Sequence, residues 1–322
     1  MNRTTLFGIF AGLAAAAIWG GMYVVSKVVM EVIPPFSLIT LRLVLGILTL
    51  LIVRLFVVRH EAKRSAAPLV VRHAEKRSDA GGLRSASSTT TNRILFWQVF
   101  GVGFVGYGIS IGFQFVGTKL STAANGSMVT SATPAFVLLF AAILLHEKIT
   151  LRRLLALIIA SLGVVAVIDP RNAQLSPDLF WGNIYLVAAA LTWALYSVLI
   201  RVATRSMDVL STSLIAFAGG LPVSVPLGAW EASAQGYGLI TPGVIGGILF
   251  LGIISTALAM YLWNTAFATL PAGVASLTFF AQPVVGTILG AIFLGDKITP
   301  LFILGGVLIG VGLVIASLDT NQ

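Results

Sequence analysis

The sequence predicts an all-α polytopic membrane protein whose ten transmembrane helices form two inverted five-helix repeats. Three observations support this fold class: the composition, the number of apolar spans and an internal duplication. Of the 322 residues, 57% are hydrophobic and 10% are charged, whereas soluble domains carry about 25% charged residues. The apolar residues form continuous runs rather than alternations with a period of two, and this pattern favours helices over a transmembrane barrel.

Glycine, proline and charged residues divide the chain into ten apolar spans, each close to the length of about 20 residues that a bilayer core requires. The first span resembles a secretory signal, because Arg3 precedes an apolar, Ala-rich stretch. It is too long for a signal and further spans follow at once, so we expect a retained helix. The spans cover approximately residues 5–29, 36–58, 94–117, 122–145, 150–168, 179–203, 208–229, 241–268, 272–294 and 300–318.

A long segment of the chain occurs twice. Residues 132–150 recur as residues 281–299 without a gap, with eight identities and with Glu147 aligned to Asp296. A second match, at a different offset, aligns Trp19 with Trp193. The duplication predicts a first repeat over residues 1–170 and a second over residues 179–318. Because each copy crosses the membrane five times, the second copy must enter from the opposite side, so the repeats are inverted.

The positive charges predict the orientation. With a cytoplasmic N-terminus, fifteen Lys and Arg residues lie in inside loops and three in outside loops. The positive-inside rule therefore places both termini in the cytoplasm, the Glu147 corner on the cytoplasmic face and the Asp296 corner outside. The same asymmetry explains the net charge of +9 without a nucleic-acid partner. The absence of cysteine excludes disulfides and thiolate metal sites.

Residues 60–93 form the one long polar stretch, which is rich in Ser, Thr, Ala and mixed charge. We expect a mobile cytoplasmic loop there. It is either a solvated insertion that helps to set the topology, which is the usual role of such charge runs, or a segment that binds anionic lipid headgroups.

The sequence predicts no catalytic residues, no metal site and no cofactor. The three histidines lie in loops or at a span end, and the chain has neither an HExxH nor a CxxC motif. Ser26 has Lys27 as its one conceivable base, but adjacent residues point to different sides of a helix. Glycine pairs such as Gly101 and Gly103 lie inside apolar helices, where small residues serve close helix packing. We therefore do not expect an enzyme.

Three ionisable residues fall inside spans, where charge is costly and indicates function by default: Lys27, Glu31 and Arg42. Lys27 and Glu31 are four residues apart on one helix face and are able to pair. Arg42 either joins them or coordinates an anionic group. The alternative is a structural ion pair with side chains that reach the interface.

Polar and aromatic residues inside the spans indicate a central path. Ser127, Ser131 and Pro134 share one helix face, and the repeat places Pro283 at the position of Pro134. Prolines bend helices and free carbonyls, which membrane depth tolerates beside a cavity, so we predict both as hinges. The rival roles are helix–helix hydrogen bonds for the hydroxyls and an interfacial belt for the aromatic rings. The predicted path residues are Trp19, Tyr23, Ser110, Gln114, Asn125, Ser127, Ser131, Trp193, Tyr261, Asn264, Thr278 and Gln282.

These features together resemble the EamA-type family of the drug/metabolite transporter superfamily. The resemblance lies in the Ala-rich run into Trp19-Gly20, in Leu41-Arg42, and in the Pro134-to-Thr150 unit that recurs from Pro283 to Thr299. It covers nearly the whole chain except residues 60–93. The resemblance implies a ten-helix, inverted-repeat secondary carrier that works by alternating access. Helices three, four, eight and nine line the path in such proteins.

The sequence therefore predicts a transporter of small metabolites in the cell inner membrane, with amino-acid export as the leading expectation. An organic-phosphate or nucleotide-sugar exchanger would require several basic groups in the cavity, and Lys27 and Arg42 are the two available. A membrane-embedded enzyme or lipid-handling protein would require a polar catalytic cluster. The expected partners are a small-molecule substrate and membrane lipid, and a monomer suffices.

Overall fold

The computed structural model describes residues 3–65, 83–121, 129–168, 180–294 and 300–318, and these residues are helical apart from short turns. No strand occurs in these five ranges. The helices are α1 (Arg3–Met30), α2 (Pro35–Ser65), α3 (Leu83–Gly103 and Ile111–Leu120, joined by the π turn Phe104–Ser110), α4 (Thr133–Leu144), α5 (Leu151–Ile168), α6 (Phe180–Ala203), α7 (Val209–Gln235), α8 (Pro242–Leu249 and Ala259–Thr269, joined by the π turn Phe250–Leu258), α9 (Ala272–Leu277 and Ala281–Leu294, joined by the 3₁₀ turn Thr278–Phe280) and α10 (Pro300–Ser317).

The all-α polytopic fold class is confirmed. By length and composition, six helices within the described ranges are able to cross a membrane, and shorter apolar helices accompany them. The number of crossings stays a prediction. Helix extends into the predicted 60–93 loop, because α2 continues to Ser65 and α3 begins at Leu83. Residues 66–82 of that loop lie outside the described ranges.

Helix ends recur at the offset of the sequence duplication. α3 ends at Leu120 and α8 at Thr269, which are 149 residues apart. α5 ends at Ile168 and α10 at Ser317, again 149 residues apart. The π turns of α3 and α8 overlap at the same offset. The duplication therefore extends beyond the matched residues to local helix geometry.

The helices pack as a central core with one peripheral pair. α1 lies against α8 and α9, α2 against α7, and α3 and α4 against α6. α5 and α10 pack on each other and form a separate small core with Leu277 and Phe280 of α9. The central core and its aromatic side chains therefore lie between helices of both halves of the chain.

A buried carboxylate fixes the start of α2. Glu231 of α7 is 5% exposed, and its Oε2 accepts hydrogen bonds from the backbone N–H groups of Phe36 and Ser37 at 2.7 and 3.1 Å. The Ser37 hydroxyl donates to the carbonyl of Gly228 at 2.8 Å. Negative charge at a helix N-terminus is stabilising because four N–H groups there lack helical partners. These bonds set the position of α2 along α7, and with it the depth of Arg42.

Close helix packing depends on selected glycines. A Cβ at Gly103 would overlap the backbone of Ala216 in α7, whereas Gly101, two residues earlier, faces open space. Gly312 likewise abuts Ala156, and Gly310 faces open space. Close helix packing therefore involves one glycine of each of these two pairs.

We expect Gly103→Ala to destabilise the protein and Gly101→Ala to be nearly neutral. The added methyl at residue 103 forces α3 away from α7, and overpacking of this kind costs about 1–3 kcal/mol. Thermal denaturation of the detergent-purified variants measures the difference. Equal midpoints for the two variants would contradict the close contact between α3 and α7.

Candidate functional site: a central cavity

The central core contains a cavity with about 450 Å³ of space between atoms, a volume that includes open solvent. All of its lining residues are buried except Gln114, which is partly exposed. They come from α1, α2, α3, α4, α6, α8, α9 and the segment before α4: Trp19, Met22, Arg42, Ser110, Ile111, Gln114, Thr130, Thr133, Ala189, Ala190, Trp193, Met260, Phe279 and Gln282.

An aromatic cluster forms the apolar wall. The Trp19 ring lies 5.8 Å from Trp193, 5.3 Å from Trp263 and 6.0 Å from Phe279, centroid to centroid. The Trp19 Nε1–H donates to the carbonyl of Ser255 at 3.0 Å, so its orientation is fixed. Such rings combine large apolar area with defined geometry, which suits a pocket for a solute with an apolar part.

The cavity contains one cationic side chain from the described residues. Arg42 is 2% exposed, and its Nε donates to Thr256 Oγ1 at 3.1 Å. Its Nη2 reaches the Met22 sulfur at 3.4 Å and Ser255 Oγ at 3.5 Å. The guanidinium carbon lies 5.1 Å from the ring centroid of Phe115, within the range of a cation–π interaction. No carboxylate lies among the cavity-lining side chains.

The π turn of α8 builds the pocket for this guanidinium. A π turn adds one residue to a helix and leaves some carbonyls without their usual partner. Here the Thr256 hydroxyl donates to the carbonyl of Leu251, five residues earlier, at 2.7 Å. The hydroxyl oxygens of Ser255 and Thr256 then accept from Arg42. Irregular helix at membrane depth is tolerated where it faces a cavity or other polar groups.

Four lining side chains carry a buried polar atom without a hydrogen-bond partner among the described residues. They are Arg42 Nη1, Thr133 Oγ1, Trp193 Nε1 and Gln282 Oε1. Buried polar atoms are normally satisfied, and exceptions require an explanation.

Five of the predicted path residues line the cavity and one adjoins it. The lining residues are Trp19, Ser110, Gln114, Trp193 and Gln282. Tyr23 lies beside them, because its hydroxyl accepts from Gln114 Nε2 at 2.7 Å and pairs with Thr130 Oγ1 at 3.3 Å.

Four predicted path residues are absent from the lining. Tyr261 is half-buried, and Ser131 and Thr278 are buried. Asn264 is fully buried, where it accepts from the Tyr196 hydroxyl at 2.8 Å and donates to Ser213 Oγ at 2.9 Å. Met260 takes the place in the lining that the sequence pattern assigned to Tyr261 and Asn264. The physical reason is that polarity and aromaticity alone do not determine which face of α8 turns inward. Asn125 and Ser127 lie outside the described ranges.

The predicted hinge prolines are both buried in the first turn of an α-helical segment. Pro134 follows a turn at the start of α4, and Pro283 follows the 3₁₀ turn of α9. At the position of Pro134 a proline removes no helical hydrogen bond. Their role as hinges stays a prediction.

The three residues of the predicted charged cluster lie in different surroundings. Glu31 is exposed, whereas Arg42 is buried and bonded to neutral groups. The side chain of Lys27 lies outside the described part of the chain. The cluster and the role of Arg42 toward an anionic group therefore stay predictions.

Sequence reasoning missed the apolar lining residues Met22, Met260 and Phe279, although it included Trp19 of α1 and Trp193 of α6. Methionine and phenylalanine give no signal that separates a cavity wall from ordinary core. The alignment of Trp19 with Trp193 was the available signal for α1 and α6, because the two rings contact each other.

The sequence profile of the EamA-like transporter family matches this chain twice, over residues 6–168 and residues 180–318. The chain belongs to the EamA-like transporter family. It is therefore an integral membrane transporter. The two EamA matches together include every residue that lines the cavity.

Relatives of this EamA protein are also named as transporters. The uncharacterized transporter YetK of Bacillus subtilis (strain 168) is 26% identical over 292 residues, which is 90% of this chain and 80% of YetK. The uncharacterized transporter YoaV of the same organism is 22% identical over 310 residues, 94% of this chain and 93% of YoaV. The crystal structure of another protein superposes on this chain with a TM-score of 0.72 at 18% identity over 97% of both chains. The last similarity shows the fold alone.

We expect Thr256→Val to destabilise this EamA protein more than Thr265→Val does. Both residues are buried on α8, but the Thr265 hydroxyl bonds only its own helix, to Tyr261, whereas Thr256 also accepts from Arg42. Valine leaves the guanidinium with a second unsatisfied N–H, at a cost of about 1–3 kcal/mol. Thermal denaturation in detergent tests the ranking. Equal losses would mean that Thr256 does not hold Arg42.

Proposed function

We propose that this EamA-family protein is a secondary carrier that exports amino acids across the cell inner membrane by alternating access. The observation that carries the proposal is the central cavity, which combines an aromatic wall with a few convergent polar groups from both family-matched segments. The sequence contains no ATP-binding motif, so gradients supply the energy. Export and the inner-membrane location rest on the family resemblance, and the cytoplasmic termini rest on the charge asymmetry.

A polar latch supports the alternating-access part of the proposal. Glu147, just after α4, accepts from the backbone N–H of Ala272 at 3.0 Å and pairs with Arg201 of α6 at 3.4 Å and Arg153 of α5 at 3.3 Å. Arg201 also donates to the carbonyls of Phe267 and Leu270, at the end of α8. We call this group the Glu147 latch. It ties the ends of helices from both family-matched segments at one end of the core, so a carrier must release it to open that end.

The proposed inverted repeat gives the latch a counterpart. The duplication aligns Glu147 with Asp296 and Arg201 with Lys27. An inverted repeat would use the second pair at the opposite end of the path. Asp296 and the Lys27 side chain fall outside the described part of the chain, so this pairing is a proposal from sequence.

We expect the purified protein in proteoliposomes to take up labelled amino acids from a mixed metabolite panel, assayed with and without a pH gradient. Trp19→Phe, which loses the bond to Ser255 and shortens the cavity wall, should reduce transport several-fold. Trp97→Phe is the matched control, because Trp97 is 57% exposed on α3. Turnover of a lipid without transport of any solute would overturn the carrier function.

We expect Glu147→Gln to favour the conformation that is open at the end of the core where the Glu147 latch lies. The chain contains no cysteine, so Ala190→Cys in the cavity wall gives a single labelling site for a membrane-impermeant maleimide. Glu147→Gln should raise its labelling rate several-fold from the face that carries the latch, because loss of a half-buried charge pair shifts the conformational populations. Asp208→Asn is the control, since Asp208 caps α7 through the Ser211 N–H outside the latch. Unchanged labelling would assign Glu147 a purely structural role.

A further inference from the structure

The buried charge of Arg42 has no counter-ion in the described structure. Glu231 is engaged at the start of α2, Glu147 is engaged in the latch, and Glu31 is exposed. The neutral partners of Arg42, a cavity-lining residue, bond Nε and Nη2 and leave the buried Nη1 without a partner among the described residues. A buried cation with one free donor edge, lining a cavity, is an incomplete interaction that an anionic ligand completes.

We propose that Arg42 binds the carboxylate of the transported solute, and that Gln282 and Thr133 accept hydrogen bonds from its ammonium group. This inference rests on the proposed carrier function and narrows its substrate class to α-amino acids with uncharged, apolar or aromatic side chains. The unsatisfied atoms of four cavity-lining side chains match this chemistry. Arg42 Nη1 and Trp193 Nε1 are donors, Gln282 Oε1 is an acceptor, and the Thr133 hydroxyl is able to accept as well as donate.

The charge of the cavity lining favours a carboxylate over a phosphate. A carboxylate carries one negative charge, which the guanidinium of Arg42 balances. A phosphate ester carries about two charges at neutral pH. The cavity lining offers it one cation from the described residues. An organic-phosphate exchanger is therefore disfavoured by charge.

The other residues of the cavity wall favour a ligand with an ammonium group and an apolar side chain. Gln282 is 3% exposed and Thr133 is fully buried, so their free oxygens are costly unless a donor reaches them. Ring faces of Trp19, Trp193 and Phe279 add cation–π attraction for an ammonium and apolar contact for a side chain. A second positive charge on the ligand would be repelled by Arg42, which excludes lysine-like and arginine-like solutes.

The test compares three ligands on the intact detergent-purified protein. L-phenylalanine carries both groups, 3-phenylpropionate lacks the amine, and phenethylamine lacks the carboxylate. We expect L-phenylalanine to bind most tightly, with each analogue weaker by roughly 10- to 100-fold, the range for a lost charged hydrogen bond. Isothermal titration calorimetry measures the three affinities. A phosphate-bearing probe, phosphoenolpyruvate, should bind no better than 3-phenylpropionate.

Two variants test which residue binds the carboxylate of the ligand and which binds its ammonium group. Arg42→Met should weaken L-phenylalanine and 3-phenylpropionate by roughly 10- to 100-fold and leave phenethylamine unchanged or tighter. Gln282→Leu should weaken L-phenylalanine and phenethylamine and spare 3-phenylpropionate. Arg59→Gln is the matched control, because Arg59 is exposed on the same helix as Arg42. If Arg42→Met does not fold, the wild-type ligand series together with Gln282→Leu still decides the outcome.

Several results would overturn the inference. If phenethylamine binds the wild type as tightly as L-phenylalanine does, the protein has no carboxylate site. If Arg42→Met loses the same affinity for all three ligands, the role of Arg42 is structural. If phosphoenolpyruvate binds more tightly than 3-phenylpropionate, the site recognises a phosphate rather than a carboxylate. Different results would refute the carrier function and the carboxylate site. Transport of a solute without a carboxylate would refute the site and support the carrier function. Carboxylate-dependent binding without any transport would support the site and refute the carrier function.

Discussion

The central constraint on this fold is the burial of one guanidinium in an apolar helix core. Arg42 lies about two turns into α2, where a charged side chain costs about 2.5–3.5 kcal/mol even on the most lenient insertion scale. The protein offsets part of that cost with hydroxyl, sulfur and aromatic partners from three other helices. None of these partners carries a negative charge. The position of α2, the π turn of α8 and the polarity of the cavity all relate to this single group.

The irregular helices follow from the same constraint. In a bilayer, backbone groups need internal partners, so departures from α-helix occur beside side chains or water that satisfy them. The π turn of α8 has such partners, because Thr256 returns a hydrogen bond to Leu251 and Trp19 donates to Ser255. The α3 π turn contains Tyr107, whose hydroxyl pairs with that of Tyr196. The two π turns thus add polar side chains to the core while the helices stay continuous.

The charged groups in the latch and in the cavity differ in whether they have a counter-ion. At one end, Glu147 joins two arginines and the start of α9 in a half-buried network whose charges compensate one another. At the centre, Arg42 remains uncompensated. A compensated pair suits a contact that closes and releases, because opening exposes both charges to water together. An uncompensated charge suits a ligand site, since a bound anion removes the penalty of burial.

The sequence by itself determined the helical membrane fold, the duplication and most helix ends, because apolar run length and Gly/Pro punctuation are local properties of the chain. It also indicated Trp19, Trp193, Gln114 and Gln282, since polar and aromatic residues are conspicuous inside apolar spans. Only the tertiary structure decided which face of α8 and α9 turns inward. The π and 3₁₀ turns change the number of residues per turn, so residue type alone selected Asn264 and Thr278 where Met260 and Phe279 line the cavity. The burial of Arg42 among neutral groups, while Glu31 is exposed, was likewise a tertiary decision, because it depends on how α2 is placed by Glu231, 189 residues away in the chain.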